Sequence, residues 1–360
     1  MLLTRVWLTD FRNYASAELE PAPGLTVIVG ANGQGKSNLL EAVGWLAGLR
    51  SFRAAPTEAL VRVGADQAIV RGEADRAGRA LLIECEISRT GRNRTLVNRQ
   101  PVRRTRDALD HLRAVSFAPD DLELVKGGPA ERRRYVDDLL VAVHPRYETV
   151  RSDLDRILRQ RAAVLKQSGG LSSPEIEATL DVWDTRLAAT GEELAEGRAA
   201  LLADLAPIVA RAYLDLADAG AVDVTYAPAW RAEGLAGALA AARPDELRRG
   251  VSLVGPHRDD VGLDLDGLPT RTHASQGEQR SLALALRLAA ARRLATTLDT
   301  PPLLLLDDVF SELDDARGEA LLAHLPPGQT LVTTATAIPP GSRPERVFRV
   351  ESGAVVPDLG

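Results

Sequence analysis

Eight residues, Gly30-Ala31-Asn32-Gly33-Gln34-Gly35-Lys36-Ser37, constrain this chain more than any other stretch. Their glycines let backbone N–H groups turn inward on an anion. The lysine can bridge its outer charges, and the serine hydroxyl can hold a divalent cation. The flanks suit that use. Leu25-Thr26-Val27-Ile28-Val29 is a short apolar run that predicts a buried strand, while Leu39, Leu40, Val43, Leu46 and Ala47 set one apolar stripe on a helix ending near Gly48. A strand, a glycine turn and a helix amino terminus bring partial positive charge to phosphates. The expectation is an α/β core with a nucleotide site at Gly30, Ala31, Asn32, Gly33, Gln34, Gly35, Lys36, Ser37 and the adjacent Asn38.

A second element fits the first. Leu303-Leu304-Leu305-Leu306-Asp307-Asp308 reads as a buried strand ending in two acids, and an acid buried beside a phosphate loop needs a cation to offset it. Asp307 is expected to orient Mg²⁺ with Ser37, and Asp308, with Lys36 the candidate catalytic pair, to orient or deprotonate the attacking water. Ser275-Gln276-Gly277-Glu278 opens a further helix, and such a start attracts an anion. Alone it reads first as a serine N-cap. Ser311-Glu312-Leu313-Asp314 follows the acidic strand, so it is not alone.

The rest of the chain organises around these motifs. Residues 68–74, 80–88 and 94–98 alternate like an antiparallel meander, a small β lobe. From Pro129 to about residue 219 the apolar spacing turns helical, with segments 146–167 and 175–213 joined by Ser168-Gly169-Gly170-Leu171-Ser172-Ser173-Pro174. That predicts an antiparallel helical arm, with packing on the main core as the alternative. Strands then return at 222–226, 261–265, 303–306 and 329–333, helices at 276–295 and 313–325, and a hairpin around Ser352-Gly353. The predicted division is a head in two parts, 1–128 and 220–360, interrupted by an arm at 129–219.

Composition narrows the function classes. One cysteine, Cys85, forbids an intrachain disulfide and suits a reducing cytosol, and it falls on an alternating strand pattern as a core residue. The amino terminus has no signal-peptide pattern, and no apolar run approaches a membrane span, so a cytoplasmic protein without a membrane partner is expected. The net charge of −6 excludes a wholly basic nucleic-acid coat. It leaves room for local basic stripes at Arg103-Arg104 with Arg106, at Arg132-Arg133-Arg134, or at Arg248-Arg249, each of which otherwise reads as a solvated face.

These residues resemble the ATP-binding-cassette class and, more narrowly, the RecF family of bacterial DNA repair proteins. The resemblance spans nearly the whole chain. It rests on Asp10-Phe11-Arg12-Asn13-Tyr14, the phosphate loop, Ser51-Phe52-Arg53, Phe117-Ala118-Pro119-Asp120-Asp121-Leu122, Gly128-Pro129-Ala130-Glu131-Arg132-Arg133, Gly255-Pro256-His257-Arg258-Asp259-Asp260, Ser275 to Glu278 and Asp307 to Asp314. It implies a cassette-type ATPase head with a β lobe and an inserted helical arm, which binds ATP with Mg²⁺ and forms a homodimer around two ATP molecules. Ser275 and Gly277 of one copy would then reach the outer phosphate held at Lys36 of the other, with Asp314 across the interface. It further implies ATP-dependent binding to double- and single-stranded DNA at gaps or junctions, slow hydrolysis, and work with RecR and RecO to help load RecA.

Departures from the pattern matter as well. No histidine follows the strand ending at Thr333, where Thr334-Ala335-Thr336 stands, and residues 117–122 lack a glutamine. The second acid is the shorter aspartate. A slow, DNA-stimulated ATPase acting as a switch is therefore expected. His257 reads as a loop histidine with a structural hydrogen bond, and Arg258 as an ion pair with Asp259 or Asp260. The rival readings are a nucleotide-binding subunit of a transport ATPase, a small-molecule phosphoryl transferase, and a tether that ATP merely stabilises.

Overall fold

The computed structural model describes the chain except residues 77, 103–110, 299, 336–337, 339–340 and 359–360 and the side chain of Glu312. The Arg103, Arg104 and Arg106 stripe and Thr336 lie outside the described residues. In chain order the first strands are β1 (Leu2–Phe11), β2 (Tyr14–Leu19), β3 (Leu25–Val29), β4 (Gln67–Arg76), β5 (Arg79–Ser88), β6 (Arg94–Val97), β7 (Gln100–Pro101) and β8 (Ala114–Phe117). There follow β9 (Val222–Thr225), β10 (Gly262–Leu265), β11 (Leu268–Pro269), β12 (Leu303–Leu306), β13 (Thr330–Thr334), β14 (Arg346–Glu351) and β15 (Ala354–Pro357).

Two compact units divide these elements. The first holds Met1–Leu122, Arg211–Ala219 and Gln276–Gly360; the second holds Glu123–Ala210 and Gly220–Ser275. Residues 220–275 thus group with the helical insertion and not, as expected, with the returning head. The cause is long-range bonding from the insertion's helices: Arg132 donates to the Asp260 carboxylate, Arg133 to the Asp259 carbonyl, and Arg198 to the Pro256 carbonyl.

In the first unit, one sheet has the order β2-β1-β4-β5-β6-β7 and is antiparallel. The other has the order β15-β14-β3-β13-β12-β8 and is parallel apart from β15. The helix Lys36–Gly48 shares one core with apolar residues of both sheets, including Leu3, Val6, Leu8, Leu303, Leu305 and Leu331. It is therefore buried well beyond the single expected stripe: Ala42 and Trp45 are buried along with Leu39, Leu40, Val43 and Leu46. Each large side chain so removed from water contributes about 1.5–3 kcal/mol, which anchors the loop at its start. The parallel strands end together, with Leu306 level with Val332 and Phe117 and Thr334 level with Val29. Loops at the carboxyl ends of such strands are where an α/β sheet offers a binding crevice.

The second unit contains the helices Pro129–Val143, Tyr147–Gln167 and Leu235–Arg249, most of the helix Pro174–Ala217, and an antiparallel sheet in the order β11-β10-β9. Pro174 opens the long helix as its residue type predicts, with Ser173 Oγ accepting from the Ile176 N–H at 3.3 Å. Its 44 residues span about 66 Å. Arg161, fully buried, donates to Asp184 at 2.5 Å, Glu246 at 2.5 Å and Ser252 at 2.8 Å, so one cation ties three separate segments of this unit.

Candidate nucleotide-binding site

Strand β3 delivers the chain into the Gly30–Gly35 loop, and the helix begins at Lys36. Gly35 takes φ 113°, a conformation that disfavours any side chain, and a Cβ there would lie 2.5 Å from Asn13 Nδ2. The helix start has no side-chain cap and no acid in its first turn. Its leading N–H groups and dipole are thereby available to an anion.

Distant residues hold the loop in shape. Asn13 Nδ2 donates to the Gln34 carbonyl at 3.1 Å, and the buried Tyr14 hydroxyl donates to the Gly35 carbonyl at 2.9 Å. Burial raises the Tyr14 pKa, so that hydroxyl keeps its proton. Asn38 Nδ2 closes the ring on Asn13 Oδ1 at 2.8 Å, and Ser352 N–H donates to Gln34 Oε1 at 2.6 Å from the turn between β14 and β15. Arg12 grips the fully buried Glu41 of the loop helix through Nε at 2.8 Å and Nη2 at 2.9 Å, and Ser51 donates to the same carboxylate. Arg53 donates to Asn38 Oδ1 at 3.2 Å. The motifs at residues 10–14 and 51–53 are thus struts of the phosphate loop.

Lys36 is 6% exposed and donates to the Ala31 carbonyl at 3.0 Å. Burial lowers its pKa, and the charges of Asp308 and Asp307 pull it back up. Asp307 is 3% exposed, and its pKa is raised, first by burial and also by Asp308. Hydrogen bonds from Thr333 and Ser37 and the charge of Arg53 oppose that rise. The structure therefore brings Lys36, Ser37, Asp307 and Asp308 into one cluster. Asp308 leaves β12 in a left-handed conformation, φ 50° and ψ 30°, and its Oδ1 is buried with no hydrogen-bond partner among the described residues. Two adjacent carboxylates, one carrying an orphaned oxygen, fit a divalent cation shared with a phosphate, the arrangement Mg²⁺ favours.

Sequence reasoning missed Thr333 in this cluster. Its hydroxyl donates to Asp307 Oδ1 at 2.7 Å and accepts the Asp308 N–H at 2.9 Å. A threonine inside an apolar strand was the available signal.

Ser275 and Gln276 are exposed at the start of the helix Gln276–Thr297, with Gly277 and Glu278 half-buried behind them. A Cβ on Gly277 would lie 2.9 Å from Arg317 Nη1. Asp314 caps the helix Asp315–Ala323 by accepting the Arg317 N–H at 2.9 Å, and it also accepts Arg317 Nη1 at 2.9 Å. Gly277 and Asp314 therefore meet on Arg317 in a second cluster. Asp121 Oδ1 accepts from Arg287 of the Gln276–Thr297 helix at 2.5 Å, which accounts for the second of the two acids after Pro119.

The Gly255–Asp260 motif works elsewhere, inside the second unit. Arg132 donates twice to Asp260 at 2.9 Å, Arg133 donates to the Asp259 carbonyl at 2.6 Å, and Arg198 clasps Asp137 at 2.7 and 2.9 Å. Arg258 departs from the expected ion pair: it donates to the Ser252 carbonyl at 2.8 and 3.1 Å, because Asp259 and Asp260 already serve other donors. His257 approaches the same carbonyl at 3.5 Å, and burial pushes it down to about 4. Arg132 and Arg133 are held in this hub and do not form an open basic stripe, while Arg134 pairs with Glu131.

The model of the RecF/RecN/SMC N-terminal domain matches residues 2–337. A curated protein of Kineococcus radiotolerans, "DNA replication and repair protein RecF", is 45% identical over 99% of both chains. The chain belongs to the RecF family. Among solved structures, the recombination mediator protein RecF with ATP, of the RecFOR pathway, superimposes with a TM-score of 0.90 at 29% identity, covering 99% of this chain and 98% of that one. An Smc head domain derived from Pyrococcus furiosus matches with a TM-score of 0.60 at 17% identity, covering 99% of this chain and 96% of that one, a likeness of fold alone. The α/β ATPase-head architecture expected from the motifs is that of these relatives.

Proposed function

We propose that this chain is an ATP-operated DNA-binding switch of recombinational repair, in which ATP at Gly30–Ser37 closes two copies on each other and the closed pair grips DNA. The observation that carries the reading is the cluster of the buried Lys36 and Asp307 with the half-buried Asp308, whose Oδ1 is orphaned, beside an uncapped helix start. Lys36 bridges the outer phosphates and the loop N–H groups hold the rest. Ser37 and Asp307 would hold Mg²⁺, which when bound offsets the phosphate charge. Asp308 orients the attacking water. Its short side chain, on a backbone turned left-handed, makes turnover slow, and DNA binding to the closed pair stimulates it.

Ser275, Gln276, Gly277 and Glu278 of the second copy, with Asp314 beside them, complete the phosphate site. Their contacts exist only in the closed pair, and that difference in affinity is what allows ATP to shift the equilibrium. Gapped or junction DNA is held mainly by its phosphates, so binding weakens steeply with salt. Family membership supports action with RecO and RecR ahead of RecA in the cytoplasm. It gives no support to the transport-subunit reading.

Sedimentation velocity with and without ATP and Mg²⁺ tests the closure. The wild-type chain is expected to dimerise only with ATP, Lys36→Ala to lose ATP binding, and Ser275→Arg to bind ATP yet stay monomeric. A wild-type mass indifferent to ATP contradicts the proposal.

A further inference from the structure

Thr333 sits on β13, level with the step at which the neighbouring β12 ends in its acids. It is completely buried. A hydroxyl has one proton and two lone pairs, and here the proton goes to Asp307 Oδ1 at 2.7 Å while a lone pair takes the Asp308 N–H at 2.9 Å. Both bonds constrain function. The first fixes the carboxylate rotation of Asp307 and engages its Oδ1, while Ser37 also bonds this carboxylate. The second pins the peptide at which the chain turns left-handed, so it sets where the Asp308 carboxylate, with its unpaired Oδ1, is aimed.

We propose that Thr333 is a positioning residue for hydrolysis: one hydroxyl sets the orientation of both acids, coupling the cation-holding Asp307 to the water-orienting Asp308. This rests on the nucleotide reading above. A residue acting only as strand filler would need the shape of threonine but not its hydroxyl. The hydroxyl is the feature at stake, because valine keeps the shape and removes the partner that threonine gives to the buried Asp307 Oδ1 and to the part-buried Asp308 N–H.

The test uses the full chain with Thr333→Val, Thr333→Ser and Thr333→Ala, read by equilibrium binding of a fluorescent ATP analogue in EDTA and in Mg²⁺, by steady-state hydrolysis, and by thermal unfolding. Thr333→Val is expected to bind in EDTA within about twofold of wild type, because the loop and Lys36 are untouched. It should lose about tenfold of the tightening that Mg²⁺ produces and about tenfold in kcat, the effect of one buried hydrogen bond. Thr333→Ser should recover most of both, and Thr333→Ala, which lacks the same methyl, should not. Should Thr333→Val not fold, Thr333→Cys, close to serine in size with a weak donor, takes its place. Equal impairment of the Ser and Ala variants, or wild-type behaviour of Val, overturns the proposal. A wild-type chain that binds no ATP would instead remove the nucleotide reading beneath it.

Discussion

Replacing Arg12 by alanine is expected to loosen the phosphate loop from a site outside it. The Arg12 guanidinium makes two charge-assisted bonds to Glu41, whose side chain is 0% exposed, and a third to the Ala59 carbonyl at 3.1 Å. Removing one partner of a buried pair costs about 3–5 kcal/mol, because the remaining charge is left without compensation. Ser51 still bonds Glu41 and Arg53 lies 3.9 Å away, so the cost falls toward about 2–3 kcal/mol. In a unit of about two hundred residues each kcal/mol moves the melting temperature by roughly 2–4 °C, which gives a loss of about 4–12 °C. Differential scanning calorimetry reads that loss, and the double variant with Glu41→Gln isolates the pair. Without a charge to strand, the double variant should be more stable than Arg12→Ala alone. A shift under about 2 °C, or strict additivity in the cycle, would refute the strut role.

Other perturbations follow the same physics. Gly30→Ala places a Cβ 2.4 Å from the Val350 carbonyl oxygen, so the loop or β14 must shift, and ATP affinity measured by calorimetry should fall at least tenfold. Arg161→Met leaves the buried Glu246 without its cation, while Asp184 keeps Arg243, and should destabilise the second unit by about 3–5 kcal/mol in urea unfolding, with ATP affinity unchanged. His257 is held neutral in the fold, at about 4 against an ordinary 6.5, so the unfolded chain binds the extra proton. Stability is therefore intact above pH 6.5 and is lost as pH falls from there toward 4, up to roughly 3 kcal/mol, and His257→Asn should flatten that limb of the pH-stability profile.

What was legible in the sequence was local. The loop at 30–37, the strand ending at Asp307 and the helix starting at Gln276 are each written within a dozen residues, because glycine turns, buried strands and helix starts are decided by neighbouring residues. What escaped was long-range. Gln34 is held by Ser352, Gly35 by Tyr14, and Asp307 by Thr333, pairings that no spacing rule announces. Residues 220–275 looked like a return to the head because strands alternate there with helical spacing. Only long-range bonds reveal where they pack: Arg132 to Asp260, Arg133 to the Asp259 carbonyl, Arg198 to the Pro256 carbonyl, and Arg161 to Glu246 and Ser252. The arginines at 132–133 misled for a related reason: a run of like charge looks solvated until each member finds a buried acid or carbonyl.

The most direct measurement of the central claim is fluorescence anisotropy of a labelled gapped duplex titrated with protein in ATP, in ADP and without nucleotide, repeated with Ser275→Arg. ATP alone should tighten binding, and the substitution should abolish that gain while ATP is still bound. Binding that ignores the nucleotide, or a gain that survives Ser275→Arg, would contradict an ATP-gated grip on DNA.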